Sequence, residues 1–84
     1  MHKPSNDEIL ARIETILAEV LEIESVGVTA QTRLEEIEDL DSFGVITVFM
    51  SLEESFGVRF TTDEIDATKT IGDILEGISK KQTR

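Results

Sequence analysis

The 84-residue sequence contains no cysteine, which removes disulfides, thiolate nucleophiles and sulfur-ligated metals together. Stability must come from packing alone, and the redox compartment is left open. Histidine is nearly as scarce. His2 is the only one and lies in the N-terminal tail, so it is a poor general base or metal ligand and no Ser-His-Asp triad can be assembled. No apolar run approaches a membrane span, and Met1-His2-Lys3-Pro4 lacks the apolar stretch of a secretory signal. A cytoplasmic protein that does not insert into membranes is expected. There is no internal repeat and no low-complexity segment.

Basic side chains are the next shortage. Eight of them face 18 acids, for a formal net charge of −10, which argues against nucleic acid as a partner because phosphate repels anions. All the acids fall between Asp7 and Glu76, and no basic residue stands between Arg33 and Arg59. The centre of the chain therefore carries the negative field, and partner proteins with basic patches are the expected complement.

With 39% hydrophobic content, a chain of this length closes one small core. Ser5-Asn6-Asp7-Glu8 fits a capping box, and Ile9, Ile13, Ile16, Leu17, Val20 and Leu21 recur at helical spacing, with Glu14 and Glu19 expected in water. A first helix should run to about Leu21. Residues 22 to 41 show no sustained period, yet Ile23, Val26, Val28, Leu34, Ile37 and Leu40 are spread through them, which predicts a long loop pinned by apolar anchors. Val26-Gly27-Val28-Thr29 has no partner strand elsewhere, so it is read as part of that loop.

A second helix should begin at Asp41 or Ser42, both good N-cap types, and end near Phe56, where Gly57 offers a left-handed cap. Val45, Val48, Phe49, Leu52 and Phe56 share its core-facing sector. Phe43, Ile46 and Met50 form a second apolar stripe, bracketed by Glu53 and Glu54, which has the character of a docking surface. Thr61-Thr62-Asp63-Glu64 can cap a brief helix through Ile65. Thr70-Ile71-Gly72-Asp73 can start another, with Ile71, Ile74, Leu75 and Ile78 inside and Lys80 and Lys81 near its end. The expected fold is all-α, a four-helix bundle of three main helices and one short one. Residues 1–4 are expected to form a flexible N-terminal tail, 5–79 the domain, and 80–84 a basic C-terminal tail.

Catalytic constellations are missing. The abundant carboxylates read as a solvated face. Asp39, Asp41 and Gly44 match positions of a calcium-binding EF-hand loop, but Met50 stands where a bidentate glutamate is required, and the match fails. The chemically informative residue is Ser42, a hydroxyl between an acidic loop and an amphipathic helix, placed where another protein's active site can modify it.

Asp41-Ser42-Phe43, followed by Val48-Phe49-Met50-Ser51-Leu52-Glu53-Glu54-Ser55-Phe56-Gly57, resembles the acyl carrier protein family over about residues 5 to 79. The resemblance implies that a phosphopantetheinyl transferase esterifies Ser42 with 4′-phosphopantetheine from coenzyme A. It further implies that the chain is a carrier rather than an enzyme, and that acyl groups ride on the arm as thioesters. It gives a chain without cysteine a thiol supplied by its cofactor. Client synthases, ligases and acyl-transferring enzymes would be met by Asp41, Phe43, Ile46, Met50, Glu53 and Glu54, and a monomer is expected. The core residues Val48, Phe49, Leu52, Phe56, Phe60, Ile65 and Ile74 offer a lining for cargo, and all of them also read as plain core.

The sequence departs from the common family pattern. Phe43 replaces the usual leucine, Gly44 follows it, Thr47 stands where glutamate is frequent and Thr61 where proline is frequent. These changes point to a specialised fatty-acid or polyketide-type pathway. Leu40-Asp41-Ser42-Phe43-Gly44 is also similar to D-alanyl carrier proteins, so an aminoacyl carrier is the alternative. A non-carrier acidic helical adaptor is the alternative of another class.

Overall fold

The computed structural model describes residues 5–82. Four helices follow in order: α1 (Asn6–Leu21), α2 (Ser42–Phe56), α3 (Thr62–Ala67) and α4 (Ile71–Lys81). The described residues contain no strand, and the all-α expectation holds. The expected N-terminal tail, residues 1–4, lies outside them.

Each helix starts where a side chain can satisfy backbone donors left without intrahelical partners. Ser5 caps α1, Thr61 caps α3 and Thr70 caps α4, each in a reciprocal capping box closed by Glu8, Glu64 and Asp73 respectively. α1 stops as Glu22 turns left-handed, and α2 stops at Gly57, whose φ of 65° costs a residue without Cβ little.

α1 packs against α2 and α4. Ile9, Ile13 and Leu17 meet Val48, Phe49 and Leu52 from α2 and Ile71, Ile74 and Ile78 from α4, all at most 2% exposed. Full burial of each such side chain is worth about 1.5–3 kcal/mol before entropy is charged, so these three stripes dominate the stability of the fold. Phe60 closes one end, edge-on to Phe49 with ring centroids 5.0 Å apart.

The loop of residues 22–41 is pinned as expected, but not by every apolar residue in it. Val28 and Ile37 are buried and Val26, Leu34 and Leu40 are half-buried, whereas Ile23 is 48% exposed and anchors nothing. The loop also contains one 3-10 turn, Leu34–Glu36. Three backbone hydrogen bonds tie it to the start of α4: Leu34 N–H to the Lys69 carbonyl at 2.9 Å, Ile71 N–H to Thr32 at 2.9 Å, and Gly72 N–H to Ala30 at 2.7 Å. Glu14 is half-buried instead of solvated, and its Oε2 accepts Val28 N–H at 3.4 Å.

The expected domain boundary at residue 79 falls inside α4. Lys80 and Lys81 belong to that helix. Lys81 Nζ donates to both Glu64 oxygens at 3.0 and 3.2 Å and lies 5.1 Å from the Phe60 ring centroid. The Gln82 side-chain amide donates to the Phe56 carbonyl at 2.6 Å. These contacts hold the end of α4 to α2 and α3.

Candidate functional site

Ser42 is exposed and occupies the first position of α2, with Asp41 as the N-cap. Asp41 Oδ1 accepts Gly44 N–H at 2.8 Å, and its carbonyl accepts Val45 N–H at 2.9 Å. The capping task thus falls to the aspartate. The Ser42 hydroxyl makes no hydrogen bond among the described residues. The first N–H groups of α2 other than that of Gly44 have no intrahelical acceptor, so the hydroxyl sits beside donors and the positive end of a helix dipole, a setting that suits an attached anion.

Local packing explains why the hydroxyl stands clear. Asp39 adopts a left-handed conformation (φ 68°), the chain reverses, and Leu40 turns inward while Ser42 stays outside. Gly44 is buried, and a Cβ there would lie 3.0 Å from Leu40 Cδ1, 3.3 Å from Asp41 Oδ1 and 3.8 Å from Val20 Cγ1. The absence of a side chain at Gly44 is what lets Leu40 seat against the first turn of α2. The glycine noted as a departure from the family pattern therefore has a packing role.

The second apolar stripe of α2 is open to solvent. Phe43 is 78% exposed, Ile46 49% and Met50 61%. Asp41 and Glu54 are exposed beside it. Glu53, expected in the same rim, is engaged elsewhere: it is half-buried and its Oε2 accepts Phe60 N–H at 2.8 Å, fastening the α2–α3 connection.

A groove of about 540 Å³ opens next to Ser42. The 3-10 turn with Arg33, Leu34 and Glu35 lines one part of it, residues 40–42, Val45 and Ile46 another, and Thr62, Ile65, Asp66, Thr68 and Lys69 the rest. Of the residues the sequence offered as a cargo lining, only Ile65 is in this wall. Val48, Phe49, Leu52 and Ile74 are closed core, and Phe56 and Phe60 pack against it. Sequence reading missed the groove because it lies between a loop and α3, and periodicity places neither against the other. The apolar anchors Leu34 and Leu40 were its only visible signal.

Two carboxylates outside the groove's lining have pKa values lowered from the ordinary range. Glu64 is lowered by the hydrogen bond from Thr61 N–H and then by Lys81, and Asp73 by hydrogen bonds from Lys69 and Thr70 N–H. Both close capping boxes, Glu64 at the start of α3 and Asp73 at the start of α4. Among the described residues, no group of three or more histidine, cysteine, aspartate or glutamate side chains is placed to hold a metal ion. No described helix is long and apolar enough to cross a membrane.

Comparison with known proteins agrees with this arrangement. Residues 11–78 match the family model described as "Phosphopantetheine attachment site". An acyl carrier protein of Arthrobacter sp. (strain FB24) is 35% identical over 78 residues, covering 93% of this chain and 96% of that relative. One from Thermotoga maritima is 30% identical over 77 residues, covering 92% and 95%. The solution structure of holo acyl carrier protein from Geobacter metallireducens superposes with a TM-score of 0.78 at 26% identity, covering 87% of this chain and 84% of that one. A single helical domain matched along nearly its whole length, with an uncommitted serine hydroxyl at the head of its second helix, belongs to the acyl carrier protein family, whose prosthetic group is 4′-phosphopantetheine.

Proposed function

We propose that Ser42 is the residue esterified by 4′-phosphopantetheine, and that the chain presents acyl thioesters on that arm to enzymes of a specialised fatty-acid or polyketide-type pathway. The observation that carries this reading is the exposed hydroxyl, free of any capping bond, at the first position of α2. In the transfer, the Ser42 oxygen attacks the phosphorus that bears pantetheine in coenzyme A. The pyrophosphate P–O bond breaks, adenosine 3′,5′-bisphosphate leaves, and the serine proton passes to a base of the transferase.

Clients with basic patches are drawn by the acidic surface and anchored by Phe43, Ile46 and Met50, with Asp41 and Glu54 at the rim. Contacts of this kind are salt-sensitive and exchange rapidly, as a shuttle between enzymes requires. Glu53 enters this surface only indirectly, by fixing the connection that follows α2.

Intact mass tests the reading. Incubation with coenzyme A, magnesium and a broad-specificity phosphopantetheinyl transferase should add one phosphopantetheine mass to the wild type and nothing to Ser42→Ala. A wild type that stays unmodified with several transferases overturns the reading in favour of a helical adaptor. The aminoacyl alternative rests on residues 40–44, where Gly44 seats Leu40. A panel of acyl and aminoacyl ligases separates the two kinds of cargo.

A further inference from the structure

We propose that a groove at the far end of α2 from Ser42, lined by Arg59, Lys80 and Lys81, receives an acidic peptide segment of a client enzyme and so fixes the direction in which the carrier lies on it. The inference rests on the docking reading of α2 above and adds a second contact of opposite charge.

The groove, of about 570 Å³, lies between the α2–α3 connection and the end of α4. Gly57, Val58 and Arg59 form one side, Gly77, Lys80 and Lys81 the other, and Glu64 of α3 completes the lining. Three of the chain's eight cations therefore gather around one carboxylate. That carboxylate is already engaged, because Lys81 Nζ donates to both of its oxygens at 3.0 and 3.2 Å. Arg59 and Lys80 are exposed and make no ion pair among the described residues. The carboxylates nearest to the lining in sequence, Glu53, Glu54, Asp63 and Glu76, stand outside it.

The space beside the cap of α2 is unfilled, since a Cβ at Gly57 would meet nothing within 4 Å. An acidic segment entering there meets the Arg59 guanidinium from one side and the Lys80 ammonium from the other. Each can form charge-assisted hydrogen bonds with a carboxylate, and the guanidinium can do so in bidentate fashion.

The charge of the whole chain decides the occupant. At a formal net charge of −10 the protein is repelled by extended anionic surfaces, membranes and nucleic acid among them. A client whose basic patch meets the acidic rim of α2 is drawn in rather than repelled, and a local acidic segment on it can then reach the groove. α2 spans 15 residues, a rise of about 22 Å. The Debye length at physiological ionic strength is about 8 Å, so the Asp41 end and the groove are felt separately. A client that is positive opposite the head of α2 and negative opposite its foot is matched in one direction only. Turned end for end, it sets like charges against each other.

The test uses the unloaded chain, ¹⁵N-labelled and titrated with hexaglutamate while amide ¹H–¹⁵N spectra are recorded. Saturable shifts should centre on Val58, Arg59, Gly77 and Lys80 and spare Ser42 and Phe43. Combining Arg59→Gln with Lys80→Gln, two exposed changes, should weaken binding by about fivefold or more. Lys69→Gln, an exposed cation outside the groove, should leave it unchanged. Inorganic phosphate at equal ionic strength and phosphatidylglycerol vesicles form the other arms. No shift in the groove, an equal response to phosphate, an undiminished response in the double variant, or tighter binding to the vesicles each overturns the inference. Since Ser42 carries nothing in this titration, its failure leaves the carrier reading intact, and a chain that no transferase can load leaves the titration result standing.

Discussion

The Glu53 carboxylate accepts the Phe60 backbone N–H at 2.8 Å, so a residue of the α2 surface also holds the chain seven positions further on. Phe60 in turn meets Phe49 edge-on and lies under the Lys81 ammonium. Removing the acceptor leaves a half-buried N–H unpaired and loosens that ring. Glu53→Ala should lower unfolding free energy by about 1–2 kcal/mol, the low end for a bond to a charged group because the site is only partly buried. Glu54→Ala, which removes an exposed carboxylate, should stay within about 0.5 kcal/mol. Urea unfolding of both variants checks the contrast, and equal stabilities would refute it.

Asp41 and Ser42 are adjacent but should separate cleanly on mutation. Asp41 caps α2 through Gly44 N–H, so Asp41→Ala should cost about 1 kcal/mol. Ser42→Ala breaks no bond among the described residues and should leave the unfolding free energy within about 0.5 kcal/mol of wild type, while under the proposed function it should abolish loading. A large loss of stability in Ser42→Ala would show that the hydroxyl has a structural task.

Much of this was legible in the sequence, and what was not has a common cause. Capping pairs such as Ser5 with Glu8, and apolar stripes such as Ile9, Ile13 and Leu17, are local patterns, so helices α1, α2 and α4 could be read directly. Ser42 and its exposed neighbours Phe43, Ile46 and Met50 also belong to one local pattern. The partners of Glu53, Glu14 and Lys81 could not be read, because each lies elsewhere in the sequence: Phe60, Val28 and Glu64 respectively. The groove escaped notice for the same reason, since its walls meet only through the hydrogen bonds between residues 30–34 and 69–72.

Gly72 and Gly77 lie in one helix but should respond differently to a methyl group. A Cβ on Gly72 would sit 2.7 Å from the Ala30 carbonyl oxygen, a backbone atom that the Gly72 N–H itself holds in place. Gly72→Ala should therefore lose about 1–2 kcal/mol, with overpacking strain outweighing the propensity gain of about 1 kcal/mol. At Gly77 the nearest atom is Phe60 Cε1, 3.1 Å away on a ring that can shift slightly. Gly77→Ala should be close to neutral or stabilising. Thermal unfolding distinguishes them, and a stabilised Gly72→Ala would mean that the loop does not pack there.

Acid should weaken the fold through Glu64 and Asp73. Both have folded-state pKa values below their ordinary 4.5 and 3.8, the first mainly through the hydrogen bond from Thr61 N–H, the second through those from Lys69 and Thr70 N–H. A depressed folded value gives stability that is present above the unfolded pKa and is lost as pH falls toward and through the folded one. The loss should begin near the ordinary values and continue below them. Glu64→Gln and Asp73→Asn should each flatten the urea midpoint between about pH 5 and pH 3. An unchanged slope in both would remove the caps as the cause.

The exposed stripe gives the sharpest test of docking, because its residues contribute little to the fold. Phe43, at 78% exposed, and Met50, at 61%, have little core contact to lose, so truncating them should leave stability almost untouched. At an interface the same rings and thioethers are buried against a partner, and loss of one central anchor typically costs more than 1 kcal/mol. Phe43→Ala should thus lower kcat/KM for phosphopantetheine transfer by about tenfold, equivalent to about 1.4 kcal/mol. Glu54→Lys acts on encounter rather than anchoring, so its effect should be large at low salt and fade as ionic strength rises, whereas the Phe43→Ala deficit should persist. Transfer rates at two salt concentrations separate the anchor from the steering charge. If Phe43→Ala transfers at the wild-type rate at both, the stripe is not where the transferase binds.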